Sequence, residues 1–403
     1  MLAIGLISGK KVNRSSVGSL IFAGGHVSSP TLTFSVFAAW MWTTSIIGAA
    51  ETYALYGVMG PVAYVSGACI AFAGLIAFIA FLRRTVPRSP IWLDFIRQRY
   101  GLRSKQFYYI FAVIVPAYVL IEQGVGIGFI LEEFYGSAFR LLSFLSVMLA
   151  LVIVFSGGMK STLAVEGITA GMILLVFFAG MAMVLSGGLS GEDITSMIHW
   201  LLFGGGLGQV LMPAIKYFVT AIVIASGQIV FDPAWYFNAN LVGNTRKMAG
   251  SFALGGILLW GGTSLIAAIY LGWTVSAGGN VMDSFAGPAK AVFSVAMIFI
   301  GVSTIVHYLM GTFGIFTIDL HRMLGNAVIA GDRQQGRRDG SQTEQTDEGS
   351  ADRRQIVFGR VMLVAFGIFC ACMTIALQNV SLLSIDIFCA IFFAAPCVPL
   401  VIG

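Results

Sequence analysis

Residues 32–57 read LTFSVFAAWMWTTSIIGAAETYALYG, an apolar run whose one ionisable side chain is Glu51. A helix needs about 20 predominantly apolar residues to cross a hydrocarbon core of about 30 Å, and this run is long enough. Its middle is different in kind. Thr43-Thr44-Ser45 precedes Gly48, so hydroxyls and a flexible backbone sit halfway along the span.

Outward from this stretch the pattern repeats. Further apolar runs of spanning length occupy 60–82, 107–131, 138–157, 162–186, 209–231, 248–273, 289–318, 355–378 and 381–402. Met1–Ser8 reads as the end of an earlier span, too short for a signal peptide. Hydrophobic residues make up 58% of 403 positions and charged ones 10%, and mean hydropathy is +0.89. A soluble protein of this size could not clothe its surface from so small a polar fraction. These features predict an all-α polytopic membrane protein with about ten transmembrane helices plus a partial N-terminal span, in the cell (plasma or inner) membrane.

The basic residues set an orientation. With 10–14, 83–105, 158–161, 232–247 and 320–360 on the cytoplasmic side, that side holds 20 of the 23 Lys and Arg. The opposite side receives Glu132, Glu133, Glu192, Asp193 and Asp283, with Arg140 and Lys290 near it. The positive-inside rule asks for this asymmetry. It accounts for the net charge of +5 without a nucleic-acid partner.

Ten spans divide into five and five. The reading is 1–30 as partial span and linker, 31–187 as the first half, 188–208 as an extracellular loop and 209–403 as the second half. An odd number of spans per half turns the halves upside down relative to each other, as in the inverted repeats of many secondary transporters, whose lead helices break at the midplane. The second half's lead span has its own weak point: Ala225-Ser226-Gly227-Gln228 interrupts the apolar run and Asp232-Pro233 ends it. Residues 90–100 read as a basic amphipathic helix on the inner surface. Residues 330–354, rich in Gly, Gln, Asp, Glu and Arg, read as a disordered cytoplasmic loop.

Enzyme chemistry has no foothold. No Ser/His/Asp set, phosphate loop or metal cluster stands at a suitable spacing. Gly204-Gly205-Gly206 lacks a following Lys-Ser/Thr, and the five cysteines lie in apolar runs without zinc or redox spacing. No catalytic residue and no cofactor is expected.

The eighth span carries the most chemistry: Ile300-Gly301-Val302-Ser303-Thr304, then His307, then Thr317-Ile318-Asp319. Adjacent hydroxyls in an apolar helix either return their protons to the preceding turn or supply neutral oxygens to a hard cation. This stretch resembles the sodium:solute symporter family, whose eighth core helix carries a Ser-Ser/Thr pair and a Thr-x-Asp exit. Trp40-Met41-Trp42-Thr43-Thr44, Tyr56-Gly57-Val58, Gly60-Pro61 and Pro87…Arg99-Tyr100-Gly101 resemble its urea active transporter branch, and Gly157-Gly158-Met159-Lys160 its Gly-Gly turn. The chain departs from the family at Phe237-Asn238, where Gln-Arg is usual, and at Val306 and His307.

The resemblance covers essentially the whole chain, with the ends clipped. It implies a five-plus-five inverted-repeat core of the leucine-transporter type and Na⁺-coupled symport of a small polar solute by alternating access. The implied Na⁺ ligands are the hydroxyls of Ser303 and Thr304 and the carbonyls of Ala38, Met41 and Ile300. The implied solute site is Trp40, Thr44, Ser45, Glu122, Gln123 and Gln228. Intramembrane ionisable residues are functional candidates in their own right, and Glu51, Glu122 and His307 keep proton coupling open. A membrane sensor of the same fold without transport is the remaining alternative.

Overall fold

The computed structural model describes residues 1–10, 12–25, 27–86, 91–183, 207–276, 287–324 and 348–380, together with Phe393 and Pro396. Among them there is no strand. Among the described residues seven helices are long and apolar enough to cross a membrane, and an eighth span forms if the bent pair at the first break is counted as one. The protein is an integral, multi-pass membrane protein. Leu175, Phe178, Val219, Val361 and Phe369 are all well exposed, a surface suited to lipid and costly in water.

Short α1 (Leu2–Gly9) and α2 (Val17–Ile21) precede the first lead span, which is two helices, α3 (Ser29–Trp40) and α4 (Thr43–Tyr56). Ser28 starts α3 by accepting the Thr31 N–H, with Pro30 in the first turn. Helix α5 (Met59–Thr85) follows, then α6 (Trp92–Tyr100) and α7 (Leu102–Tyr135).

Helix α8 (Leu141–Met183) has 43 residues. At 1.5 Å per residue it would run about 65 Å if straight, roughly twice the bilayer core. It breaks at Gly158 (φ 55°, ψ −136°), between the expected fourth and fifth spans. A Cβ at Gly158 would collide with the Leu20 carbonyl, so backbone packing and a left-handed φ both require glycine there.

The second lead span is α9 (Leu207–Val230) followed by α10 (Pro233–Asn240). Then come α11 (Thr245–Phe252), a π-helical turn (Ala253–Leu259) and α12 (Trp260–Ser276). Helix α13 (Pro288–Ile315) ends in a second π-turn (Phe316–Leu320), and α14 (Glu348–Ala376) is the last described helix. α5 packs on α9, α13 on α8 and α7, and α12 on α4. α7 and α13 are buried over most of their spans, so the centre of the molecule lies between them and the two lead spans.

Two expectations change, one in α9 and one at the start of α14. Residues 225–228 do not interrupt α9; the break falls at Phe231–Asp232, because Asp232 caps the next helix and Pro233 fits only its first turn. Helix α6 turns its apolar face to the protein. Trp92, Leu93, Phe95 and Ile96 are buried against the protein. The segment 330–354 is not loop to its end, since α14 begins at Glu348; its residues 330–347, the loop 188–206 and most of 381–402 lie outside the described residues.

Candidate transport site

The first break is two residues long. Met41 (ψ 101°) and Trp42 (ψ 159°) are extended, and the axes on either side differ by 54°. Backbone groups freed by such a break must find other partners. The Trp42 N–H donates to Ser45 Oγ at 3.2 Å, and the Thr43 N–H to Gln123 Oε1 at 2.9 Å. The Met41 carbonyl accepts from Thr304 Oγ1 at 3.1 Å. The hydroxyls of Thr43 and Ser45 therefore sit in the first turn of α4 and hold the break in shape; Thr43 Oγ1 also donates to Gln123 Oε1 at 3.0 Å.

Thr304 shares its proton between two carbonyls, those of Met41 and Ile300, each 3.1 Å away. The neighbouring Ser303 Oγ is fully buried and has no hydrogen-bond partner among the described residues. Four of the expected ligand atoms thus come from adjoining positions on α13 and the break, and the fifth residue, Ala38, is buried in the last turn of α3. A buried hydroxyl without a partner costs roughly 1–3 kcal/mol, which a bound cation would relieve.

Beside the break lies a cavity with about 480 Å³ of empty space, its open mouth included. Trp40, Trp42, Ser45, Tyr64, Ala68, Tyr217, Ala221, Ile224, Ala225, Gln228 and Trp260 line it, and none of these is charged. Trp40 is its aromatic hub: its ring centroid lies 5.4 Å from Trp42, 5.5 Å from Trp260, 5.3 Å from Phe72 and 5.9 Å from Trp235. With Trp40 and Trp42 each only 4% exposed, neither tryptophan is a lipid anchor. Gln228 Nε2 donates to the Tyr118 hydroxyl at 3.0 Å.

Of the six residues expected to face the solute, Trp40, Ser45 and Gln228 line the cavity. Thr44 is half-buried on α4, while Glu122 and Gln123 are buried in α7 and are not part of the lining. Trp260, Tyr64 and Tyr217 were not singled out from the sequence. Nothing local distinguishes them from other aromatic residues in apolar helices.

A second polar cluster lies one turn beyond Thr304. His307 Nδ1 is 2.9 Å from Glu166 Oε1, and Nε2 is 3.9 Å from Asp232 Oδ2. Glu166 accepts from Ser35 Oγ, and Asn238 Nδ2 donates to Ser35 Oγ at 3.1 Å. The Trp235 ring covers the imidazole, centroids 4.5 Å apart. Glu166, Asp232 and His307 are all at most 1% exposed, and they join α3, α8, α13 and the second break. Of the three expected proton carriers His307 is here, Glu122 is on α7, and Glu51 is exposed on α4. Glu166 was missed, although it is the lone carboxylate of the apolar run 162–186.

The proteins this chain is similar to are named as transporters. No protein-family model matches this chain. It is 25% identical over 169 residues (41% of this chain, 26% of the relative) to the probable urea active transporter 1 of Schizosaccharomyces pombe. It is 23% identical over 158 residues to the urea-proton symporter DUR3 of Oryza sativa subsp. japonica (38% and 22%). It is 21% identical over 157 residues to the urea active transporter of Saccharomyces cerevisiae (38% and 21%). The matches span about a quarter of the length of these relatives.

Among solved structures, a Na⁺-coupled sialic acid symporter in a substrate-bound outward-open state superposes with a TM-score of 0.67 at 15% identity. The superposition covers 96% of this chain and 81% of that one. The chain therefore has the helical fold of that symporter, and it resembles the sodium:solute symporter family.

Proposed function

We propose that this chain is a Na⁺-driven symporter of a small, uncharged, polar solute of the urea or amide kind, working at the cell membrane by alternating access. The observation that carries the proposal is the meeting of Thr304 Oγ1 with the Met41 and Ile300 carbonyls at the first break, beside the unpartnered Ser303 hydroxyl. On cation entry Thr304 would turn its proton away and offer a lone pair, and the carbonyls it now holds together would turn to the ion. All these oxygens are neutral, so the site moves one net positive charge. A charge crossing the membrane gains about 2.3 kcal/mol per 100 mV, and a ten-fold gradient adds about 1.4 kcal/mol. Together they would concentrate a neutral solute several-hundred-fold, by about that logarithm.

The uncharged cavity favours an uncharged solute. Indole faces would stack on a flat molecule, and Ser45 and Gln228 would meet its polar edge. The relatives named for urea fit that chemistry; the structural neighbour named for sialic acid, an anion, has a solute this lining does not suit.

A second reading has a specific observation in its favour. The buried Glu166–His307–Asp232 cluster would offer a proton a site where α8, α13 and the second break meet, and one relative is named a urea-proton symporter. In this reading a proton at His307 replaces or accompanies Na⁺.

The deciding experiment is uptake of radiolabelled urea, with proline and a sugar as controls, into proteoliposomes under imposed Na⁺ or H⁺ gradients. Accumulation with Na⁺ alone supports the first reading, and accumulation with H⁺ alone the second. No accumulation of any solute under either gradient would overturn both.

A further inference from the structure

The side of the protein that carries most of the Lys and Arg holds a buried charge cluster that neither the ion site nor the cavity uses. Lys105, in the first turn of α7, is 5% exposed. Its ammonium lies 2.6 Å from Asp94 Oδ1 on α6 and 2.7 Å from Asp319 Oδ1 in the π-turn that ends α13. Two carboxylates from different elements share one cation. Asp319 is 2% exposed, and its second oxygen has no hydrogen-bond partner among the described residues. A buried charge held this way keeps its partner only while both elements stay together.

The elements around the cluster are jointed. α6 and α7 meet at Gly101, whose φ of 86° is left-handed and beside which a Cβ would meet nothing within 4 Å. α13 meets Asp319 through a π-turn, a strained insertion frequent at functional sites. One turn along α7 the Tyr109 hydroxyl reaches the Ile315 carbonyl at only 3.5 Å. At the other end of α7, Arg140 pairs with Glu132 where both are partly exposed. The cavity wall on α5, Tyr64 and Ala68, belongs to the first half of that helix, away from Arg83 and Arg84 in its last turn.

We infer that Lys105 is the bolt of a latch on the basic side, shared by Asp94 and Asp319 while the cavity faces the other way and released from Asp319 when α13 swings to open the basic side. On release Lys105 keeps Asp94 as its partner, so no lone cation is left buried. The same helix carries Ser303 and Thr304, so movement at the ion site reaches the latch along α13. The inference rests on the transporter reading for its purpose, but its test does not require transport.

The test is thiol labelling of Ile315→Cys, a fully buried position beside the latch, in membrane vesicles with a membrane-impermeant maleimide supplied from the basic side. The protein without Ile315→Cys gives the background from native cysteines. With Lys105→Met added, labelling is expected to rise about ten-fold as the open population grows. The swap Lys105→Asp with Asp319→Lys should return it towards the slow rate. Asp94→Asn, which leaves the Lys105–Asp319 pair but takes away the partner Lys105 would keep on release, should lower labelling about three-fold, and it decides the matter if Lys105→Met is not recovered folded. Unchanged labelling in these variants would overturn the latch. So would fast labelling that the swap does not slow, because that is general loosening. Failure of every solute to accumulate would count against the symporter reading and leave the labelling result standing.

Discussion

Nδ1 of His307 stands 2.9 Å from Oε1 of Glu166, with both side chains sealed from solvent and 141 residues apart in the chain. The contact joins α8 to α13, and Asp232 on the far side of the imidazole ties the same histidine to the second break. Removing one member of such a group leaves the others buried without compensation, at a cost of about 3–5 kcal/mol for a charged pair. Glu166→Gln is therefore expected to lower the unfolding temperature clearly, and His307→Gln likewise. The double variant should recover much of the loss. A double-mutant cycle in detergent measures this, and additive losses would mean that the two residues do not act as a pair.

The same pair separates the two coupling readings. If a proton rides here, Glu166→Gln and His307→Gln abolish urea accumulation under an H⁺ gradient while solute exchange at equal pH persists. If Na⁺ alone couples, both variants that fold keep Na⁺-driven accumulation.

Ser303→Ala and Thr304→Ala test the ion site. Each deletes a hydroxyl oxygen, and a hydrogen-bond-like contact to a charge is worth about 1.5–3 kcal/mol, so the Na⁺ concentration for half-maximal uptake should rise about ten-fold or more in each. Thr304→Ala also frees the Met41 carbonyl from the hydroxyl that donates to it, so its effect should be the larger. A normal Na⁺ response in the double variant would dismiss the site.

Much of this was legible in the sequence because membranes impose simple rules. Apolar length marks the spans, and Asp232-Pro233 is a cap and a first-turn proline, so a helix start there follows from local chemistry. The hydroxyl pair at 303–304 stands out for the same reason: polar groups in hydrocarbon need partners. Register was harder. Thr43 and Ser45 suggested a break in their own turn, whereas the structure unwinds Met41 and Trp42 and uses the hydroxyls to satisfy the freed backbone. What could not be read at all depends on which helices become neighbours. Trp260 joins Trp40 only because α12 packs on α4, and Glu166 meets His307 only because α8 packs on α13.

Trp40→Phe tests the cavity. The ring and most of its packing are retained, while the larger indole face and its N–H are lost. The expected result is a rise of several-fold in the KM for urea, on the order of 1 kcal/mol of aromatic contact, with Na⁺ dependence unchanged. Gln228→Ala should raise KM similarly through the loss of a polar contact. A shift in Na⁺ dependence without a change in KM, measured in the same uptake assay, would move Trp40 from the solute to the ion.

Gly158→Ala should be far worse than its one methyl group suggests. The break in α8 needs φ 55° at this residue, a left-handed conformation that costs a non-glycine residue about 1–2 kcal/mol. The added Cβ would also press on the Leu20 carbonyl, which is backbone and held in α2. Neither penalty can relax without moving α2 or straightening α8, and a straight α8 could not turn at the membrane edge. Folded yield and unfolding temperature should both fall sharply. Gly74→Ala, on α5 with nothing within 4 Å of the new Cβ, should leave both nearly unchanged or slightly raised, as replacing a helical glycine by alanine gains about 0.5–1 kcal/mol. Equal tolerance of the two substitutions would mean that the α8 break is not fixed where the structure has it.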